Sequence, residues 1–334
     1  MRKMLVTGGA GFIGSNFIRS LLSDGSEYEI TVLDALTYAG NKENLKPVLD
    51  RIEFIVGDIC DYKLVDALVA QNDIIVNFAA ETHVDNSLAE SSPFIQTNIL
   101  GVHAILEAVR RHNKRLHHLS TDEVFGDLPI ETSEKFTEGR AYNPSNPYSA
   151  SKASGDMLVR AWVRSYGIKA TISNSANTYG PYQYVEKLIP RHITDVLINQ
   201  SPKLHGNGRN VREWTHVDDY NAAVRRILED GRLGETYLIG SGAELSNKEV
   251  MQLILKSLGK PITEFKVVPD RPGNDLRYSN DSTKLRTELG WKPRYSKFED
   301  GLAMTIEWYK QNKEWWLHQK TLSEQRYKRL GIER

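Results

Sequence analysis

The sequence predicts an α/β protein with a doubly wound parallel sheet and a smaller C-terminal α/β domain. Short apolar segments alternate with amphipathic helical segments through the first half of the chain, which is the pattern of parallel strands covered by helices. The first apolar segment leads into a glycine-rich turn and then into a helical segment. Small or polar residues follow the apolar segments, at the edge of the sheet where such folds bind their ligands.

The glycine-rich turn follows a strand expected at residues 4–6 and contains Gly8, Gly11 and Gly14. Without side chains, this backbone can approach a pyrophosphate, which the positive N-terminal end of the following helix attracts. The next strand ends in Asp34, about twenty residues after the last glycine, where a carboxylate can bind ribose hydroxyls and disfavours the extra phosphate of NADP. Together, the turn and this acid predict a Rossmann-like domain that binds NAD.

Two adjacent carboxyl side chains follow a strand expected at residues 116–120. Thr121, Asp122 and Glu123 lie where that strand ends. Like charges that lie close together push their pKa values apart, so one carboxyl group can keep its proton while the other ionises. A solvated turn before Gly126 is the alternative for an isolated Asp-Glu pair. The rest of the chain favours separate acid and base roles for the two residues.

Tyr148 and Lys152 have the spacing that places two side chains on one face of a helix, one turn apart. A tyrosine hydroxyl has a pKa of about 10, and a neighbouring ammonium group favours its phenolate. We therefore expect this pair to act as a base near neutral pH, which the oxidation of an alcohol requires.

The remaining segments outline two domains. Helices are expected at residues 94–112 and 148–166, where apolar faces cover the sheet and any outward apolar side chains could form a dimer contact. Other expected elements are strands at 53–56, 73–78, 170–173 and 234–240, a helix of the smaller domain at 246–258, and an aromatic-faced terminal helix near 308–316. We expect an NAD-binding domain of residues 1–176 and about 212–240, a substrate domain of residues 177–211 and about 241–320, and a terminal tail of residues 321–334.

Composition excludes several kinds of partner. The 334 residues include 43 basic and 43 acidic side chains, so no excess of positive charge indicates nucleic acid or an anionic membrane. No apolar run approaches the about 20 residues of a membrane span. The N-terminus lacks the pattern of a secretory signal, and a single cysteine, Cys60, suits a reducing compartment, so we expect a cytoplasmic protein. We expect a packing role for Cys60, structural roles for His83, His117 and His118, and no metal site.

These motifs resemble those of a known superfamily. The glycine turn, Asp34, Asp58, residues 77–83 and the Tyr148/Lys152 pair resemble the extended short-chain dehydrogenase/reductases. Within that superfamily, residues 120–126 (Ser-Thr-Asp-Glu-Val-Phe-Gly) and 177–183 (Asn-Thr-Tyr-Gly-Pro-Tyr-Gln) closely resemble the dTDP-glucose 4,6-dehydratases. The resemblance covers roughly residues 3–316. It implies an NAD-dependent homodimer that converts a nucleotide-activated hexose, dTDP-glucose in the first place, to dTDP-4-keto-6-deoxyglucose and water in deoxysugar synthesis.

The resemblance also implies roles for individual residues. Tyr148 takes the proton of the sugar 4-hydroxyl, while Lys152 lowers the tyrosine pKa and holds the nicotinamide ribose. Thr121 polarises the 4-oxygen, Asp122 protonates the departing 6-hydroxyl, and Glu123 removes the proton on carbon 5. The implied NAD-binding residues are Gly8, Gly11, Phe12, Ile13, Gly14, Asp34, Ala35, Leu36, Thr37, Asp58, Ile59, Ala79, Ala80, Glu81, Thr82, Thr97, Tyr148, Lys152 and Thr178. The implied substrate-binding residues are Thr82, Thr121, Asp122, Glu123, Asn177, Lys187, Leu188, Lys203, His205, Arg212, Asn247, Arg271 and Asn274.

Three positions depart from the family pattern. His205 replaces the tyrosine of a Lys-Leu-Tyr segment, Asn274 replaces the histidine of an Arg-x-Gly-His-Asp loop, and Thr178 replaces the second of two asparagines before Tyr-Gly-Pro. None of these positions is one of the five implied catalytic residues. The departures therefore affect the prediction of which nucleotide and which sugar are bound more than the prediction of the reaction.

Two other functions remain open at this point. A nucleotide-sugar 4-epimerase or decarboxylase also needs Tyr148, Lys152 and NAD, but it has no use for the Asp122/Glu123 pair. Replacement of that pair would therefore separate these enzymes from a dehydratase. A dinucleotide sensor without turnover needs neither Tyr148 nor Lys152, so the presence of both favours an enzyme.

Overall fold

The computed structural model describes residues 2–25, 28–270 and 274–329, and the prediction for Arg271 lies outside these ranges. The strands are β1 (Arg2–Thr7), β2 (Tyr28–Asp34), β3 (Ile52–Val56), β4 (Ile74–Asn77), β5 (Arg115–Thr121), β6 (Lys169–Ser175), β7 (Asn177–Tyr179), β8 (Lys203–His205), β9 (Val211–His216), β10 (Thr236–Ile239), β11 (Glu244–Ser246) and β12 (Lys266–Val268). The helices are α1 (Phe12–Ser23), α2 (Tyr62–Gln71), α3 (Val84–Ala89), α4 (Ser92–Ile95), α5 (Val102–His112), α6 (Pro147–Tyr166), α7 (Leu188–Leu197), α8 (Val217–Asp230), α9 (Asn247–Ser257), α10 (Thr283–Leu289), α11 (Phe298–Gln311) and α12 (Lys313–Arg329).

A parallel sheet forms the centre of the larger part of the chain. Its strand order is β10, β6, β5, β4, β1, β2, β3, and each neighbouring pair is parallel. The chain moves outward in one direction from β1 to β3 and then continues in the other direction from β4, so the order reverses between β1 and β4. Such a reversal opens a crevice at the carboxyl ends of the strands, where ligands bind. The predicted doubly wound parallel sheet is confirmed.

Helices cover both faces of this sheet, which explains why its strands are apolar on both sides. Neighbouring residues of β1 face opposite ways, because Val6 belongs to the cluster beneath α1 and α8, whereas Leu5 belongs to the cluster beneath α2, α5 and α6. The carboxyl ends of the strands remain open between the two layers.

A smaller part is built on two short sheets. One pairs β7, β9 and β11, the other pairs β8 with β12, and helices α7, α9, α11 and α12 pack around Tyr179, Trp214 and Phe298. Residues 177–179 lie in a segment with the composition of a loop, yet they form β7 because Thr178 pairs with Thr215 of β9. Within the segment 212–240, β9 belongs to this smaller sheet and β10 to the seven-stranded sheet.

The helix expected at residues 94–112 has a local irregularity. A π-helical turn, Gln96–Gly101, joins α4 to α5. The amide of Asn98 in this turn accepts from the Glu81 N–H at 2.9 Å and donates to the Glu81 carbonyl at 3.0 Å and to the Ser151 hydroxyl at 2.9 Å. A π turn often marks a functional site, and here it connects α6 to the segment after β4.

The C-terminal segment forms two helices rather than one. Trp308 lies in α11 and Trp315 in α12, and their rings pack at 5.0 Å where the chain turns between the helices. Helix α12 continues to Arg329, so the part of the expected tail that is described is helical, with Ser323 and Tyr327 buried. Among the helices of the described ranges, none combines the length and apolarity needed to cross a membrane.

Candidate active site

Two clefts open at the carboxyl ends of the parallel strands. The first has a volume of ≈ 320 Å³ and extends from the glycine turn to Tyr148, and the second has a volume of ≈ 210 Å³ and lies between Tyr148 and the smaller sheets. The residues that line both clefts are Glu123, Tyr148, Asn177, Glu186 and Lys187. A ligand in one cleft can therefore meet a ligand in the other at the predicted catalytic side chains.

The first cleft has the features of a dinucleotide site. The glycine turn lines it beside the start of α1, whose first backbone N–H groups can attract a phosphate. A Cβ atom at Gly14 would lie 2.5 Å from the Gly8 carbonyl oxygen, so the turn closes only without a side chain there. Asp34 stands at the end of β2 and accepts the Ala10 N–H at 2.8 Å, which ties this acid to the turn. This arrangement fits NAD.

Nearly all of the residues implied to bind NAD line the first cleft. They are Gly8, Gly11, Phe12, Ile13, Gly14, Asp34, Ala35, Thr37, Asp58, Ile59, Ala79, Ala80, Glu81, Thr82, Thr97, Tyr148, Lys152 and Thr178. Leu36 is the exception, because its side chain packs against the core cluster beneath α1 and is absent from the described lining. Its backbone has φ of 51° and its N–H donates to Asp34 Oδ1 at 2.8 Å, so Leu36 orients Asp34 instead.

The end of β5 positions the Thr-Asp-Glu segment. Thr121 caps a short 3₁₀ turn, Asp122–Phe125, and its hydroxyl accepts the Glu123 N–H at 3.3 Å. Glu123 lines both clefts, whereas Asp122 is 1% exposed and does not belong to the described lining of either. Oδ2 of Asp122 has no hydrogen-bond partner among the described residues. The structure thus brings Thr121 and Glu123 to the cleft and places Asp122 just behind them.

The surroundings of the two acids separate their proton affinities. Burial, followed by the charge of Glu123, raises the pKa of Asp122 well above its usual value. Burial also raises the pKa of Glu123, but Arg212 and Lys187 act in the opposite direction. We therefore expect Asp122 to keep its proton more firmly than Glu123. The separation expected from the sequence is present, with burial as a larger cause than repulsion between like charges.

Helix α6 presents Tyr148 and Lys152. Asn146 caps the helix by accepting the Ser149 N–H at 3.0 Å, and Pro147 occupies the first turn, so Tyr148 stands at the helix start and Lys152 one turn later. Lys152 Nζ donates to the Leu119 carbonyl at 2.7 Å, and burial lowers its pKa to about 8.

The expected lowering of the Tyr148 pKa by Lys152 is not what the structure shows. Burial and the charge of Glu123 raise the pKa of Tyr148 well above 10, although the Thr121 hydroxyl opposes this. The physical reason is that water is excluded from the phenol while the nearest effective charge is negative. Tyr148 therefore holds its proton in this environment, and ionisation requires additional positive charge near its oxygen.

The second cleft collects most of the residues implied to bind substrate. Those that line it are Glu123, Asn177, Lys187, Leu188, Lys203, His205, Arg212, Asn247 and Asn274, while Thr82 and Thr121 line the first cleft. Arg212 donates to Asn274 Oδ1 at 3.1 Å, and its guanidinium carbon lies 4.2 Å from the centre of the Tyr278 ring. Nδ1 of His205 donates to the Pro269 carbonyl at 3.2 Å, since a carbonyl oxygen can only accept. Arg212 and Asn274 therefore contact each other in the wall of this cleft, which His205 also lines.

Glu186 is a lining residue that the sequence did not single out. Its Oε1 accepts the Tyr38 hydroxyl at 3.0 Å, and the same hydroxyl lies 2.7 Å from the Thr82 carbonyl oxygen. Its Oε2 lies 3.4 Å from the Tyr327 hydroxyl. The only local indication that Glu186 lies at the site was its position directly before the predicted Lys187, because the partners of Glu186 are distant in the chain.

The histidines and the cysteine have local partners. His117 and His118 face opposite sides of β5, since Nδ1 of His117 lies 2.9 Å from the Thr171 hydroxyl, whereas Nδ1 of His118 lies 3.0 Å from the Asn77 amide. Cys60 Sγ donates to the Gln96 carbonyl at 3.2 Å, and burial raises the pKa of its thiol to about 11. These contacts support structural roles and a thiol that stays protonated at neutral pH.

The chain is similar to known proteins over nearly its whole length. A family model described as GDP-mannose 4,6 dehydratase matches residues 5–305. A dTDP-glucose 4,6-dehydratase from Mycolicibacterium smegmatis is 57% identical over 329 residues, which cover 98% of this chain and 99% of that protein. The dTDP-glucose 4,6-dehydratase of Mycobacterium tuberculosis is 55% identical over the same length.

Solved structures show the same similarity. The crystal structure of DesIV, a dTDP-glucose 4,6-dehydratase from Streptomyces venezuelae with NAD bound, superimposes with a TM-score of 0.92 at 45% identity and covers 95% of this chain and 99% of that one. A UDP-glucose 4-epimerase from Thermotoga maritima superimposes with a TM-score of 0.86 at 28% identity, covering 92% of this chain and 99% of that one. The fold is thus shared with epimerases, whereas the sequence is far more similar to dehydratases.

Proposed function

Because this chain belongs to the dTDP-glucose 4,6-dehydratase family of the extended short-chain dehydrogenase/reductase superfamily, we propose that it is an NAD-dependent hydro-lyase that converts dTDP-glucose to dTDP-4-keto-6-deoxyglucose and water. The observation that carries the proposal is the meeting of the two clefts at Glu123 and Tyr148. NAD in the first cleft and a nucleotide sugar in the second would meet beside an acid, a base and a buried ammonium.

The residues of the chain divide the proton transfers among them. The phenolate of Tyr148 removes the proton of the 4-hydroxyl, with Thr121 beside it. This phenolate requires positive charge that offsets its burial, which the Lys152 ammonium one helical turn away and an oxidised nicotinamide ring would supply. A ketone at carbon 4 then acidifies the proton on carbon 5, which Glu123 removes. Asp122 supplies the proton that lets the 6-hydroxyl leave as water. NAD, when bound, would accept the hydride from carbon 4 and return it to carbon 6, and Glu123 returns the proton to carbon 5.

The pKa order of the two acids suits this division. A general acid must hold its proton until the leaving group departs, and the pKa of Asp122 is raised well above the usual value by burial and by the charge of Glu123. Glu123 has Arg212 and Lys187 nearby, which favour its ionised form. Glu123 is thus better suited than Asp122 to accept the proton from carbon 5.

We propose that the larger part of the chain holds NAD and the smaller part holds the nucleotide. Supporting this, Lys187, Lys203 and Arg212 line the second cleft and carry the positive charge that a diphosphate requires. Because the reaction creates a 6-deoxy group, we propose that its product is used in deoxysugar synthesis.

We also propose that the protein is a cytoplasmic homodimer. Exposed apolar side chains on and beside the α5/α6 pair, Leu100 at 41%, Met157 at 61% and Tyr166 at 54%, support a contact between two copies. A nucleotide-sugar substrate and the single free thiol of Cys60 support the compartment. Met157→Glu should shift the sedimentation of the protein from dimer to monomer, whereas Val267→Glu, at another exposed apolar position, should not.

The test of the reaction is mass spectrometry of the nucleotide sugar after incubation with purified protein. Loss of one water from dTDP-glucose is expected, while UDP-, CDP- and GDP-sugars in parallel measure the selectivity of the second cleft. Incubation with and without added NAD shows whether the cofactor is retained. An unchanged mass for every sugar, even with NAD supplied, would rule out dehydration of these substrates.

An epimerase is not favoured as the alternative. The epimerase from Thermotoga maritima is 28% identical to this chain, against 57% for the dehydratase from Mycolicibacterium smegmatis. Asp122→Asn combined with Glu123→Gln should abolish dehydration, and an epimerase would retain most of its activity in that variant.

A further inference from the structure

A buried carboxylate lies one helical turn beyond Lys152. Asp156 is on α6 and its side chain is 0% exposed. Its Oδ2 accepts hydrogen bonds from the Asn174 amide at 2.8 Å and the Tyr142 hydroxyl at 3.0 Å. Acidic side chains are almost never fully buried without a compensating partner. The proposed proton transfers give this residue no direct part, so its burial requires another explanation.

Two side chains, those of Thr7 and Asn77, place the proton of a neutral His118 ring on Nε2, the nitrogen that lies toward this carboxylate. The Thr7 hydroxyl donates to Asn77 Oδ1 at 2.6 Å, so the Asn77 amide nitrogen is the donor to His118 Nδ1 at 3.0 Å. Because Nδ1 accepts, the proton of a neutral ring is on Nε2, which lies 3.4 Å from Asp156 Oδ1. The Thr7 and Asn77 side chains therefore orient the ring that lies against Asp156. The contact between Nε2 and Oδ1 is electrostatic, because neither atom makes a hydrogen bond among the described residues.

His118, Asp156 and Lys152 differ in charge at neutral pH. Burial lowers the pKa of His118, so its ring is neutral at pH 7. Burial acts to raise the pKa of Asp156, but the contacts with His118 and the charge of Lys152 lower it overall, so the carboxylate is ionised. Burial lowers the pKa of Lys152 to about 8, and Asp156 opposes that effect. The titratable groups around Lys152 and Asp156, which lie one turn apart on α6, are Tyr148 on α6, His118 on β5 and Tyr142 before α6.

We propose that Asp156 is a positioning residue for the proposed dehydration: its buried negative charge balances the Lys152 ammonium and thereby keeps Lys152 able to assist Tyr148. The Asn174 amide that binds Asp156 also donates to the Thr121 carbonyl at 3.1 Å, so one side chain connects this carboxylate to the start of the Thr-Asp-Glu segment. The inference rests on the proposed function, because Lys152 needs its charge only if Tyr148 acts as a base.

The pH profile of kcat/KM with dTDP-glucose tests this role. Lys152 assists as an ammonium, so activity falls as pH rises through its pKa of about 8. A nearby opposite charge shifts a pKa by about 1–3 units, so Asp156→Asn should move the alkaline limb to lower pH by at least about one unit. For a shift of one unit, the loss at pH 8 should then exceed the loss at pH 6 about fivefold. The KM for dTDP-glucose should change little. Tyr142→Phe is the control, since it removes one hydrogen bond to Asp156 and leaves the charge.

The Lys152→Arg variant separates an effect of the Asp156 charge on Lys152 from an effect of Asp156 on folding. Arginine keeps its proton throughout the accessible pH range, so the Lys152→Arg enzyme should lack the limb, and adding Asp156→Asn to it should cause no further pH-dependent loss. If the Asp156→Asn variant is insoluble, Asp156→Ser removes the same negative charge and can be measured in its place. An unmoved limb with a uniform loss of rate, or failure of both variants to fold and retain NAD, would overturn the proposal. If the wild-type protein removes no water from dTDP-glucose, the proposed function itself is wrong.

Discussion

The Tyr327 hydroxyl of α12 lies 3.4 Å from Oε2 of Glu186, a residue that lines both clefts. Helix α12 is held nearby by Lys320, which is 4% exposed and whose Nζ lies 2.6 Å from Asp195 Oδ1 of α7. In addition, the Arg326 guanidinium lies 3.8 Å from the centre of the Tyr38 ring, and the Tyr38 hydroxyl also binds Glu186. The C-terminal helix therefore stabilises the junction of the clefts.

Tyr327→Phe should loosen that junction without unfolding the protein. A hydrogen bond to a charged group contributes about 1.5–3 kcal/mol at good geometry, and at 3.4 Å we expect about 1 kcal/mol, which corresponds to about fivefold faster NAD release. Release can be followed by cofactor fluorescence after dilution. Tyr166→Phe, at an exposed tyrosine of α6, is the control. Equal release rates in the two variants would show that α12 does not influence the first cleft.

Single replacements of the two acids should stop the reaction at a defined stage. General acid–base groups contribute about 10²–10⁴-fold to a rate, so Glu123→Gln should lower dehydration by that factor. Tyr148 and Lys152 remain, so oxidation at carbon 4 should continue and reduced NAD should accumulate in a single turnover. Asp122→Asn should behave similarly but still exchange the carbon 5 proton with deuterated water. The exposed Glu131→Gln is the control. Full dehydration by Glu123→Gln would contradict its role as the base.

Gly14→Ala should remove the cofactor. Its Cβ would lie 2.5 Å from the Gly8 carbonyl oxygen and 2.9 Å from the Gly9 Cα, and because these are backbone atoms the turn must move. We expect purified Gly14→Ala to contain little NAD, as measured by absorbance after acid release. At Gly139, a Cβ meets no described atom within 4 Å, so Gly139→Ala should retain the cofactor. A full complement of NAD in Gly14→Ala would refute the assignment of this turn.

His117 should make the fold sensitive to acid. Burial lowers its pKa to about 3 from 6.5, so between these values the unfolded chain binds a proton that the folded chain does not. The free energy of unfolding therefore falls as pH decreases through this window, and the contribution is fully present only above pH 6.5. From pH 7 to pH 5 we expect His117 to account for a loss of about 2 kcal/mol.

Urea unfolding of wild-type protein and His117→Gln measures this contribution. Carboxyl groups with raised pKa values act in the opposite direction in both proteins, so the difference between the two is the informative quantity. It should shrink as pH falls, and His318→Gln at an exposed position should retain the wild-type pH dependence. A difference that stays constant from pH 7 to pH 5 would assign His117 an ordinary packing role.

The sequence by itself determined the elements of the sheet and the types of residue at its carboxyl edge. Strand periodicity, glycine spacing and the one-turn spacing of Tyr148 and Lys152 are local properties, because they depend on residues that are near one another in the chain. The positions of Asp34 at the end of β2 and of Thr121 at the end of β5 follow from the same alternation. The resemblance carried by these motifs then indicated the family that the comparisons confirm.

Only the tertiary structure decided how these residues meet. It turns Leu36 into the core, places Asp122 behind Glu123, and raises the Tyr148 pKa where the sequence suggested a lower one. It also brings Glu186 together with Tyr38 and Tyr327 from segments far apart in the chain. The physical reason is that burial and long-range contacts arise from packing of the whole chain, which sets dielectric surroundings and neighbours that no local pattern encodes.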